Sequence, residues 1–185
     1  MYEKPHIVSS ALISETRVFK IEELQLEFPN GVRTRYERLK SSPYGSVIVV
    51  PMLDANTVLM IREYAVGTQR YELGLPKGRI EEGEDPLLAA NREIMEEIGY
   101  GAKRLQSLCT LSVAPSYIES RTELVLARDL YAQRLRGDEP EPIEIVSWSM
   151  DKLSKLVERT DCTEARGIAS LYIARDYLNR EMNGS

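Results

Sequence analysis

An α/β domain with a mixed sheet flanked by helices, preceded by a small antiparallel β appendage, is the fold this sequence predicts. Three observations carry it. From Ile7 to Lys40 the chain alternates apolar and polar residues at the two-residue period of strands. A capped helical segment, Asp85 to Gly99, interrupts further strand-like runs in the middle of the chain. From Met150 onwards the apolar residues recur at helical spacing. Strands interleaved with helices make an α/β architecture.

In chain order, Thr16–Ile21 (TRVFKI) and Glu23–Phe28 (ELQLEF) read as strands, Pro29-Asn30-Gly31 as a hairpin turn, and Val32–Leu39 as the returning strand. A three-stranded antiparallel sheet cannot bury both faces alone, so this appendage must pack on the main domain or on a second copy. Ser41 to Gly45 is a candidate boundary, giving an appendage over 1–43 and a main domain over 44–185. Gly45 to Met52 reads as a buried strand, with Thr57–Arg62 (TVLMIR) returning as its hairpin partner after an Asp54-Ala55-Asn56 turn. Glu63 to Gly67 reads as loop, and Gln69 to Leu75 leads to a glycine-punctuated loop containing Pro76-Lys77-Gly78. After the helix come strand patterns at Lys103–Val113 and Glu123–Asp129, a polar loop from Leu135 to Pro142, and a strand from Ile143 to Met150 carrying Trp148. Met150–Arg159 and Thr163–Met182 close the chain as helices.

With 185 residues, 43% hydrophobic and 29% charged, the composition is that of a globular domain with room for a sizeable core. The net charge of −5 argues against a nucleic-acid groove. No apolar run is long enough to span a membrane, and the N-terminus lacks the apolar core of a secretory signal, so a cytoplasmic location is expected. Cys109 and Cys162 lie far apart and outside any metal-ligand spacing, and Cys109 reads as a buried apolar residue. His6 is the only histidine, which excludes a multi-histidine zinc site and leaves chemistry to carboxylates, a metal, lysine or tyrosine.

The helix carries the chemistry. Asp85 is a good N-cap, Pro86 suits the first helical position, and Gly99 suits the stop. Leu87, Ala90, Ile94 and Ile98 form an apolar stripe. Glu93 and Glu97 fall about 40° apart around the helix axis, with Glu96 at the edge of the same patch. Like charges this close repel, and a divalent cation with a taste for oxygen ligands, Mg²⁺ or Mn²⁺, would relieve the conflict.

Gly78, Glu84 and the run Arg92-Glu93-Ile94-Met95-Glu96-Glu97-Ile98-Gly99 stand in the register GX5EX7REUXEEXGU, where U is apolar and only Tyr100 fits its position loosely. In this the sequence resembles the Nudix hydrolases. Tyr71-Glu72-Leu73 before Pro76-Lys77-Gly78 is similar to the approach in the ADP-ribose and ADP-sugar pyrophosphatases of that family, where ELPAG is usual. Here Gly74 and Leu75 intervene and Lys77 replaces the alanine. The Arg62-Glu63-Tyr64 segment, the Ala114–Tyr117 loop and Gly137–Pro142 extend the likeness over nearly the whole chain.

The resemblance implies an α/β/α sandwich and metal-dependent cleavage of a pyrophosphate that links a nucleoside to another group. It assigns Glu93 and Glu97 as metal ligands, Glu96 to a second ion, and the Lys77 or Gly78 backbone carbonyl to complete the shell. Glu84 could ligate or support a ligand, and Arg92 would orient a box carboxylate. The general base would be Glu139 or Glu141 in the late acidic loop, or a box glutamate such as Glu96. Arg62, Lys77 and Arg79 are candidate phosphate contacts. Tyr36 and Arg38 could stack on adenine, and Ser116 and Tyr117 could line the other end. The expected substrates are ADP-ribose, NADH and diadenosine polyphosphates, releasing AMP, in a homodimer with neither nucleic-acid nor membrane partner. The rivals are an RNA 5′-end pyrophosphohydrolase and a non-catalytic nucleotide sensor.

Overall fold

The computed structural model describes residues 3–137 and 140–184. The chain divides into two compact units, Met1–Gly45 with Ser112–Arg121, and Ser46–Leu111 with Thr122–Ser185.

The first unit is a three-stranded antiparallel sheet in the order β1-β2-β3, with β1 His6–Glu15, β2 Lys20–Glu27 and β3 Arg33–Lys40. Gly31, at φ +81°, turns β2 into β3, a backbone region that glycine enters without strain. Residues 112–121 belong to this unit through local pairing: Leu39 donates its N–H to Tyr117 O at 2.8 Å and accepts from Glu119 N at 2.9 Å. On β2, the central strand, Glu22 is buried and held by Arg38 at 2.7 Å, Lys40 at 3.1 Å and Ser10 at 3.2 Å. Those partners keep its carboxyl below its ordinary range, Arg38 first. β1 is exposed at every position, with Ile7, Leu12 and Ile13 about half exposed.

The second unit is layered. β4 (Ser46–Pro51), β7 (Lys77–Arg79), β8 (Tyr100–Leu111) and β9 (Thr122–Ala132) form a mixed sheet in the order β7-β4-β9-β8, in which β4 and β9 run parallel. β10 (Glu144–Ser149), β5 (Thr57–Ala65) and β6 (Arg70–Gly74) form a second, antiparallel sheet in the order β10-β5-β6. The helices are α1 (Pro86–Glu97), the short α2 (Leu153–Val157), entered through a 3-10 turn at Met150–Lys152, and α3 (Ala165–Met182). Side-chain alternation sorts the core into two layers. Ile48, Val50, Met60, Leu124 and Leu126 pack with Leu153, Leu156 and Leu171 on the α2/α3 side. Val47, Val49, Leu59, Ile61, Val125 and Ala127 pack with Ala89, Ala90 and Ile94 on the α1 side. Strands buried on both faces explain the continuous apolar runs SVIVV and TVLMI.

Several local expectations differ. Thr16–Ile21 is not one strand: β1 ends at Glu15, Thr16 to Phe19 turn the chain with Thr16 N–H donating to Phe19 O at 2.8 Å, and β2 begins at Lys20. Lys77 and Gly78, expected in a loop, lie in β7. Thr57–Arg62 is not the hairpin partner of β4: β5 pairs with β10 and β6, and β4 gives its edges to β7 and β9. The link between β4 and β5 is a single bridge, Met52 to Val58. Residues 63–65, expected as loop, continue β5. Cys109 is half-buried, and Cys162 is the buried cysteine. Among the described residues no helix is long and apolar enough to cross a membrane.

Candidate active site

The acidic helix is built as its sequence dictates. Asp85 caps α1 by accepting from Leu87 N at 2.8 Å, Pro86 occupies the first turn, and Gly99 leaves the helix at φ +74°. Its apolar stripe faces the core, which carries Glu93 and Glu97 inward at 9% and 6% exposure.

β7 lies against that helix. It pairs with β4 at Val47–Gly78 and Ile48–Lys77, so its backbone is fixed by the main sheet. The Lys77 N–H donates to Glu97 Oε2 at 3.2 Å. A Cβ at Gly78 would fall on the carboxylate of Glu93, so the glycine lets the strand and that side chain lie in direct contact as they stand.

Arg92 ties the acids together. Its Nε and Nη2 donate to the two oxygens of Glu84 at 2.9 and 3.0 Å, its Nη1 to Glu93 at 2.8 Å and Glu96 at 3.1 Å, and its Nη2 also to Arg79 O at 2.9 Å. This fork lowers the Glu84 carboxyl and raises the guanidinium in turn. Glu97 behaves differently. Burial pushes its carboxyl up to about 8; the Lys77 ammonium pulls it back, and the Glu93 and Glu63 carboxylates push it further.

Three or more acids do not converge on one point among the described residues; Arg92 spreads Glu84, Glu93 and Glu96 around its own fork. The donor chemistry nonetheless fits a divalent cation. Two buried carboxylates sit beside a strand with no side chain at Gly78, and the burial that raises Glu97 is a cost that a bound cation would offset.

Beside the box, Lys77 Nζ meets Glu63 Oε2 at 2.8 Å. Both line a cavity of about 450 Å³, together with Ile61, Leu73, Leu75 and Thr163. Arg62 is engaged elsewhere, with Asp161 at 2.5 Å and Glu144 at 2.9 Å. Asp161 also takes Arg159 at 2.8 Å, and Arg159 first, then Arg62, hold its carboxyl far below the usual range. Arg79 is exposed and offers its carbonyl to Arg92. Glu141 accepts from the Tyr71 hydroxyl at 2.7 Å, and Tyr71 stands edge-on to Tyr64. Glu139 lies outside the described residues.

In the first unit, Arg38 is occupied by Glu22 and reaches Glu119 at 3.4 Å. Tyr36 is about half exposed and packs at a tilt on Phe28, and Ser116 and Tyr117 are exposed on the 112–121 segment.

Sequence reasoning missed Glu63, Tyr71 and Asp161 as partners of site residues. A signal for Glu63 existed: read as a continuation of β5, Arg62-Glu63-Tyr64 keeps the strand's alternation and brings Glu63 opposite Glu72.

Comparison with known proteins agrees with this geometry. Residues 43–167 match the NUDIX domain and residues 5–38 match the NudE-type Nudix hydrolase N-terminal domain. The chain is 46% identical over 176 residues to the ADP compounds hydrolase NudE of Escherichia coli (strain K12), covering 95% of this chain and 94% of that one. It is 29% identical over 143 residues to the ADP-ribose pyrophosphatase of Bacillus subtilis (strain 168), covering 76% of each. A crystal structure of an ADP compounds hydrolase superposes with a TM-score of 0.90 at 44% identity, covering 98% of this chain and 97% of the other. With its complete acidic box on a capped helix against β7, this chain belongs to the Nudix hydrolase family.

Proposed function

We propose that this protein hydrolyses the pyrophosphate bond of ADP-linked compounds, among them ADP-ribose, NADH and diadenosine polyphosphates, releasing AMP. The observation that carries the reading is the pair of buried carboxylates, Glu93 and Glu97, packed against the side-chain-free backbone of Gly78 in a chain closely similar to an ADP compounds hydrolase.

Nudix hydrolases generally need a divalent metal, and Mg²⁺ or Mn²⁺ suits these oxygen donors. Glu93 and Glu97 would hold it, with Glu96 and the Lys77 or Gly78 carbonyl as further donors. A bound ion would supply charge neutralisation at the phosphates and acidify water. The rest falls to side chains of this chain. Arg92 keeps Glu84, Glu93 and Glu96 in fixed orientation. Lys77 and Arg79 present positive charge to the phosphates. Water adds to one phosphorus, its proton passes to a carboxylate (Glu96, Glu139 or Glu141), and the P–O bond to the other phosphate breaks. The first unit, with apolar residues exposed along β1, is the face on which a second copy would pair to give a homodimer. A cytoplasmic location accords with this chemistry.

Product analysis in ¹⁸O-labelled water over a panel of ADP-ribose, NADH, diadenosine polyphosphates and triphosphorylated RNA tests the reading. AMP formation with Mg²⁺ from the ADP compounds is expected. Turnover confined to the RNA, or none at all, would overturn it.

A further inference from the structure

The last carbonyls of a helix have no partner within it and must find one elsewhere. α1 has no basic residue in its own last turn to meet them. The chain leaving β9 does so instead. Gln133 N–H donates to Gly99 O at 3.0 Å, which carries the β8–β9 ladder up to the turn that ends the helix, and Leu135 N–H donates to Met95 O at 3.0 Å. Between them, Arg134 Nη1 donates to Glu96 O at 3.3 Å. The guanidinium lies against the turn, where a Cβ on Gly99 would come within 2.9 Å of Arg134 Nε. Residues 133–135 thus cross the end of the helix with two backbone bonds and one cation, the charge that a helix C-terminus favours.

We infer that Arg134 is a positioning residue for the acidic box: it closes the end of α1 from outside the helix and fixes the last turn, which carries Glu96 and Glu97. This rests on the proposed pyrophosphate hydrolysis. Arg92 grips the side chains of Glu84, Glu93 and Glu96. Glu97 is the last residue of the helix, and its carboxyl accepts from Lys77 N at 3.2 Å. Its aim therefore depends on how firmly the final turn is wound. Ile98 N–H holds that turn along the helix, through Ile94 O at 3.1 Å, while Leu135 and Arg134 hold it from the side. Arg134 is exposed, so its loss takes little from the core, and the effect falls on the box.

Turnover and amide exchange together test this. Arg134→Met should lower kcat for AMP release from ADP-ribose with Mg²⁺ about tenfold, short of the roughly hundredfold that an ångström's displacement costs. KM should stay within about twofold of the parent. In the same variant the Ile98 and Leu135 amide hydrogens should exchange about fivefold faster or more, while the melting temperature moves by less than about 2 °C. Arg134→Lys should restore most of the kcat and the slow exchange, since one cationic donor serves one carbonyl. Either quantity at its parent value in Arg134→Met overturns the inference. So does a raised KM at unchanged kcat, which would make Arg134 a substrate contact, and so does a loss that Arg134→Lys leaves unrestored. A melting temperature several degrees lower would make Arg134 a residue of the fold at large and overturns it as well. A parent without turnover refutes the hydrolase reading, and the exchange rates then still decide whether Arg134 holds the last turn.

Discussion

Gly78→Ala puts the close approach of β7 and α1 to direct trial. The added Cβ would fall on the Glu93 carboxylate. The backbone cannot retreat easily, because Gly78 pairs with Val47 in the β4 ladder and the neighbouring Lys77 N–H is bound to Glu97. Glu93, which is buried, must therefore turn its carboxylate aside and strain or break its 2.8 Å bond from Arg92. Overpacking of this kind costs about 1–3 kcal/mol. In a chain of this size that lowers the melting temperature by roughly 2–4 °C per kcal/mol. The functional loss should be larger than the loss of fold, since displacing a reacting or metal-holding group by an ångström costs about a hundredfold in rate. Thermal unfolding followed by circular dichroism and AMP release from ADP-ribose are the two assays. Gly67→Ala is the control, as a Cβ there meets nothing within 4 Å and its φ lies outside the left-handed region. A Gly78→Ala protein that melts with the parent and turns over at its rate would refute the reasoning from steric necessity.

Other expectations follow from the same contacts. Glu97→Gln should lose about a hundredfold or more in turnover and also lose the rise in melting temperature that Mg²⁺ gives the parent, a rise set by mass action on the folded state. Asp161→Asn should melt below the parent at pH 7 by about 1 kcal/mol or less, given partly exposed partners. Because Arg159 and Arg62 lower the Asp161 carboxyl below its ordinary 3.8, its contribution is fully present above that pH and fades as the pH falls through the lower folded value; the two proteins should converge only in strong acid. Light scattering on the intact protein should give a mass near twice the chain's, and Leu12→Glu with Ile13→Glu on β1 should move it toward one chain; a parent that is monomeric throughout would remove the proposed role of the exposed strand.

How far the sequence reached depended on whether a feature was local. α1 was legible to the residue because its signals, Asp85, Pro86 and Gly99, act within a turn of where they stand. The β2–β3 hairpin was legible for the same reason, since the turn at Gly31 and the two-residue alternation are short-range; the strand expected over Thr16–Ile21 is instead the turn between β1 and β2 and the first residues of β2, because the Thr16 hydroxyl accepts from Phe19 N and closes a turn that the alternation does not reveal. The β4–β5 hairpin failed because the competing partner was remote. β9, more than seventy residues downstream by register at Ser46–Thr122, offers a parallel ladder with both faces buried, and a turn-like Asp54–Asn56 does not reveal that choice. The assignment of residues 112–121 to the N-terminal unit is likewise a matter of one remote pairing, Leu39 with Ile118. Within the site, the motif spacing identified the acids but not what holds them. That Arg92 grips Glu84 in a two-pronged contact follows from a loop closing back on the helix, and that Lys77 meets Glu63 requires two strands in different sheets to be placed first.

The division of partners among the box acids has a consequence of its own. A guanidinium in a fixed plane can satisfy several carboxylates at once, which lysine cannot do. Arg92 uses this to hold Glu84, Glu93 and Glu96, three of the four fixed acids, so the cluster folds without leaving three charges in mutual repulsion. Glu97 is placed on the far side of the fork, under the β7 backbone, with a single neutral N–H from Lys77 as its bond to that strand. A full cation at Glu97 would have balanced the helix and closed the site to metal. A neutral donor orients the Glu97 carboxyl without pairing it to a cation. Lys77 Nζ has its ion pair outside the box, with Glu63. The Arg92 charge is thus shared among three box carboxylates, and buried Glu97, outside that fork, is the position where a divalent cation would offset most of the burial cost.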